Sequence, residues 1–67
     1  MDDIVYYIKR AIELTKEIDG LSPTELVVNR ICGLTGQVDD WVVEELERAK
    51  EFRLVEEPKI GRIRMVE

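Results

Sequence analysis

The sequence predicts a mainly α, α+β domain: three short helices followed by a C-terminal β-hairpin. Three observations predict it. Apolar residues recur at helical spacing over most of the chain, the repeat turns to alternation near the end, and Gly or Pro stands near each change. With 67 residues, 45% hydrophobic and 37% charged, the chain suits one folded domain over residues 1–67 rather than two, and lies far from disordered compositions. A domain this small buries only about 60% of its unfolded surface, so caps and turns carry weight.

In the first helix, Ile4, Tyr7, Ile8, Ala11, Ile12, Leu14 and Ile18 follow three- and four-residue steps. Asp2 or Asp3 is suited to cap its start, and Gly20 to follow its end. Ser22-Pro23-Thr24-Glu25 then reads as a capping box, with Ser22 as the cap and Pro23 at the first helical position, where its missing N–H costs nothing. Leu21 and Leu26 flank the box as a hydrophobic staple, so the second helix is expected from Pro23 to about Cys32, ending at Gly33. Thr35 is suited to cap a third helix reaching about Glu51, with Val38, Val42, Leu46 and Ala49 on one face and Trp41 beside them.

After Phe52 the period changes. Arg53 to Glu57 and Arg62 to Val66 read as strands around a four-residue loop, Pro58-Lys59-Ile60-Gly61. A bare hairpin is marginal in water, so Leu54, Ile63 and Met65 are expected to pack against the helices. Of the aromatic residues, Tyr7 and Phe52 are expected to be packing groups, and Trp41 partly so. Three helices with short connections, a Gly-containing turn between the last two and a terminal hairpin together describe a winged helix.

Several function classes are excluded by composition. The chain has no histidine, hence no imidazole base, metal ligand or pH switch. Its single cysteine, Cys32, cannot form an internal disulfide, which fits a reducing, cytoplasmic setting, and beside Val28 and Ile31 it reads as a small buried filler. No apolar run approaches the about 20 residues of a membrane span, and neither a span nor a signal peptide is expected. There is no P-loop, no spacing singles out a carboxylate pair, and no cofactor or metal is expected, so the chain reads as non-enzymatic.

The charge pattern separates two candidate surfaces. The net charge is −5, so any nucleic-acid contact needs a local basic patch. Arg53, Lys59, Arg62 and Arg64 form the one stretch where cations locally outnumber anions. They read either as a hairpin that touches phosphates or as charges that guard a strand edge. The third helix carries Asp39, Asp40, Glu44, Glu45, Glu47 and Glu51 against Arg48 and Lys50, a net −4, and would meet phosphate walls with carboxylates. Tyr6 and Val43 fall off the main apolar stripes and are the candidate protein-contact residues, although scattered apolar groups are also normal on surfaces.

Asp19-Gly20-Leu21-Ser22, Val42-Val43-Glu44-Glu45-Leu46-Glu47-Arg48-Ala49 and above all Glu57-Pro58-Lys59-Ile60-Gly61-Arg62 resemble the C-terminal winged-helix domain of archaeal MCM replicative helicases. The resemblance spans nearly the whole chain on short motifs. It departs at Arg53, which stands where such domains often carry Gly; the turn must be made differently or hold a non-Gly residue under mild strain. The resemblance implies an accessory regulatory module of DNA replication, whose partner is a protein such as the helicase core or a replication factor and whose wing makes weak contact with DNA. The alternative is a free-standing transcription regulator that binds a specific duplex site as a dimer.

Overall fold

Ile8, Ala11 and Ile12 line one face of the first helix and are almost fully buried, as helical spacing requires. The computed structural model describes residues 3–66 and orders them as α1 (Asp3–Thr15), β1 (Ser22–Pro23), α2 (Thr24–Thr35), α3 (Asp39–Glu51), β2 (Val55–Lys59) and β3 (Arg62–Met65). This is the winged-helix layout, three helices with a C-terminal hairpin as the wing, completed by the short strand β1. The three strands are antiparallel in the order β1-β3-β2. The core joins Ile8, Ala11 and Ile12 to Val27, Val28 and Ile31 of α2, Val42, Leu46 and Ala49 of α3, Val55 of β2 and Ile63 of β3. Tyr7, Trp41 and Met65 pack partly buried against it.

The expected capping box is not formed. Ser22 pairs with Ile63 in the sheet, and its buried hydroxyl donates to the Ile12 carbonyl at 2.9 Å. That carbonyl lies in the last turn of α1, where helices run out of backbone donors, so Ser22 serves the end of one helix rather than the start of the next. The first residue of α2, Thr24, instead donates its N–H to Gly61 in the hairpin turn at 2.8 Å, and Pro23 takes the N-cap position in extended geometry. The staple is lost with the box: Leu21 is buried and Leu26 half-exposed. The cap expected at Asp2, and the side chain of Asp3, lie outside the described residues.

Other helix ends shift for similar reasons. α1 stops at Thr15, short of Ile18, because the chain turns through Glu17 to Leu21, where the Leu21 N–H donates to the Asp19 carboxylate at 3.0 Å. Ile18 is therefore exposed, and Leu14, still within α1, lies off its buried face and is half-exposed. α2 runs through Gly33 to Thr35 and ends at Gly36, whose φ of +75° is the left-handed stop that glycine accepts without strain. Thr35 thus closes α2, its hydroxyl donating to the Ile31 carbonyl, and does not cap α3; extended Val38 occupies that place and is exposed.

Arg53 is strained in the way its position implies. Its φ is +61°, with the Arg53 N–H donating to Lys50 and the Leu54 N–H to Ala49, the paired bonds of a Schellman stop with arginine where glycine is usual. The reversal leaves Phe52 exposed rather than packed, and brings Val55 instead of Leu54 into the core. The loop is shorter than expected. β2 continues to Lys59, with an irregular register between Glu56 and Lys59 that accommodates Pro58, and only Ile60 and Gly61 turn the chain.

Candidate interaction surfaces

β3 buries Ile63 and so directs its neighbours Arg62 and Arg64 to the outer face of the wing. Neither is free there. Arg64 lies opposite Glu56 in the register and is hydrogen-bonded to it. Arg62 is hydrogen-bonded to Glu17 and has Asp19 at 4.0 Å, both in the turn after α1; the Glu17 bond, then the surrounding charge, raises the guanidinium above its ordinary value. These carboxylates also relieve the repulsion between Arg62 and Lys59, which oppose each other across the strands.

Lys59 and Arg53 have no carboxylate within 4.0 Å among the described residues. They are not neighbours. Arg53 precedes β2 and Lys59 ends it, so roughly 15–20 Å of extended strand separates them. The four candidate nucleic-acid residues thus divide into two neutralised arginines and two separated cations.

α3 stands where the groove-reading helix of a helix-turn-helix stands, and its exposed side is acidic: Asp40, Glu44 and Glu51 are exposed with no cation within 4.0 Å among the described residues. The cations of α3 are occupied. Arg48 contacts Glu45 at 3.3 Å, and Lys50 contacts Glu47 at 3.0 Å and Glu57 of the wing at 2.8 Å. Glu57 also accepts the Gly61 N–H at 2.7 Å; Lys50 first and this N–H second hold its carboxyl below the usual range. The same contact raises Lys50.

Tyr6 and Val43 are 56% and 46% exposed but lie on different surfaces. Tyr6 projects from α1 with its ring edge-on to Tyr7 at 5.4 Å, while Val43 lines a shallow depression with Val28, Asn29 and the wing turn at Gly61. They do not form one site. Cys32 is half-buried rather than buried, and its thiol donates to Asp39 at 3.2 Å. Burial first and the Asp39 carboxylate second raise the thiol, which disfavours its thiolate form.

A third surface lies between the end of α1 and the outer face of α2. It is an open groove of about 660 Å³ flanked by Leu14, Leu26 and Leu34, with Gly33, Lys16 and Arg30 around it. In the sequence the only sign of it is the i, i+4, i+8 spacing of Leu26, Arg30 and Leu34, and Leu26 fits a staple position equally well. No helix among the described residues is long and apolar enough to cross a membrane, and no group of three or more metal-ligating side chains occurs among them. No family model, curated protein or solved structure matches this chain.

Proposed function

We propose that this chain is a non-catalytic winged-helix interaction module that works through protein contacts in the cytoplasm, of the regulatory kind found at the C-terminus of archaeal MCM helicases. One observation carries the protein-contact half: the surface that a winged helix would press on DNA is either acidic, along α3, or neutralised by its own carboxylates, at Arg62 and Arg64. Phosphate contacts supply most of the affinity of such domains, and among the described residues only Lys59 and Arg53 stand free on the wing. The replication half rests on the sequence resemblance at Glu57 to Arg62 and on the fold that it implies.

Duplex titration across salt concentrations tests the first half. Two phosphate contacts give a log-log slope of about −1.8, against about −3.6 for four. A slope near the larger value, with discrimination between sequences, favours the regulator. Light scattering separates the readings again, since a monomer suits an appendage and a dimer suits half-site recognition. An ATPase encoded upstream in the same reading frame supports the replication half, and an unrelated upstream sequence opposes it.

A further inference from the structure

We infer that the groove between α1 and α2 is the docking site of an acidic amphipathic helix of a partner protein. This rests on the interaction-module reading and assigns it a surface. Leu26, Arg30 and Leu34 are spaced four residues apart on α2, which makes them one ridge of the kind that interdigitates when helices pack. Leu14 forms the opposite wall from α1, and all three leucines are substantially exposed. The row beside the ridge is lowered at Gly33.

Gly33 supplies an independent argument. It is the one glycine without a left-handed φ, so no turn requires it, and a Cβ built there meets nothing within 4 Å, so no internal packing requires it either. A glycine inside a helix sacrifices stability relative to alanine. Its missing side chain serves no contact within the described chain, and it lets a second helix backbone approach α2 closely at the floor of the groove.

Charge selects the partner. In a chain of net charge −5, no carboxylate lines this groove, while Lys16 and Arg30 do. Arg30 has no carboxylate within 4.0 Å among the described residues; Lys16 reaches only exposed Glu13, at 3.1 Å, a weak surface contact. A helix with a leucine-type stripe flanked by Asp or Glu meets both the apolar walls and the free cation.

The test uses the intact chain with labelled leucine methyl groups and two synthetic peptides of about five helical turns. Both carry Leu at helical spacing; one has Glu and the other Lys at the flanking positions. The Glu peptide is expected to shift the methyl signals of Leu14, Leu26 and Leu34 and to bind at least about fivefold more tightly than the Lys peptide. Arg30→Glu and Gly33→Gln are each expected to weaken it about fivefold, and Gly33→Ala to weaken it less while raising the melting temperature, which keeps loss of binding distinct from loss of fold. Equal binding of the two peptides, or shifts confined to other methyl groups, overturns the proposal. So does movement of the same signals by a short duplex, which makes the groove a phosphate site, or on dilution of the free chain, which makes it a self-contact. A silent Glu peptide beside a shallow DNA salt slope sinks the groove alone, whereas a steep slope sinks the module reading.

Discussion

The wing with α3 and the α1–α2 groove are two faces built on opposite principles. On the first, most of the cations have their answer within the chain: Arg62 with Glu17, Arg64 with Glu56, Lys50 with Glu57, Arg48 with Glu45, and the charge left over along α3 is acidic. On the second, three leucines and Arg30 are left unanswered. The difference teaches that in this domain the surface named for recognition by the fold is the one whose charges are used to hold the fold together. Recognition capacity has to be sought where the interactions are incomplete.

Ser22 joins the two faces, because β1 completes the wing sheet while its hydroxyl holds the end of α1 that forms a groove wall and carries Glu17 toward Arg62. Ser22→Ala leaves the buried Ile12 carbonyl without this donor, and the expected loss is about 1–3 kcal/mol. A urea or thermal melt measures it. An unchanged melt would separate the faces and break the comparison at its hinge.

Arg53 sharpens the comparison by pulling charge and stability in opposite directions. Arg53→Gly relieves a left-handed residue and is expected to stabilise the domain by about 1 kcal/mol, while Gly36→Ala, at a similar φ, costs about as much. In the same variant the DNA salt slope should flatten by about 0.9, since one of the two free wing cations is gone. Melts of both variants and one titration read these out together; an Arg53→Gly protein less stable than the parent would show that the side chain holds more than a strained turn.

The weakest effect concerns acid. Glu57 has a folded-state pKa depressed by Lys50 and the Gly61 N–H, so its contribution is present above the unfolded value of about 4.3–4.5 and is lost as pH falls through the lower folded value. Melts of the parent and Glu57→Gln are expected to differ at neutral pH and converge in acid. A constant difference down to low pH would mean the Lys50–Glu57 contact does not tie the wing to α3.

What was legible in the sequence was local. Helical periods located α1 and α3, a capping pattern that the structure does not form still marked where α2 begins, alternation located the wing, and the missing glycine at Arg53 announced a strained turn that the structure contains. Ser22 was misassigned because its local neighbours complete a capping pattern, whereas its hydroxyl and backbone are claimed by Ile12 and Ile63, distant in sequence. The wing was read as basic for the same reason. Glu17 and Asp19 stand far from Arg62 along the chain, and only the β1–β3 pairing brings that turn beside the wing. Phe52 is exposed, and Val55 rather than Leu54 enters the core, because the left-handed turn at Arg53 reverses the chain before the strand begins.

The central claim is that the wing arginines are held back from DNA by the protein's own carboxylates, and a duplex titration of the parent beside the Glu17→Gln/Asp19→Asn/Glu56→Gln triple variant tests it most directly. Freeing Arg62 and Arg64 should steepen the salt slope from about −1.8 to about −3.6 and tighten binding at low salt. Identical slopes in parent and variant would contradict the account, because the arginines would then be either already on the phosphates or never within reach of them.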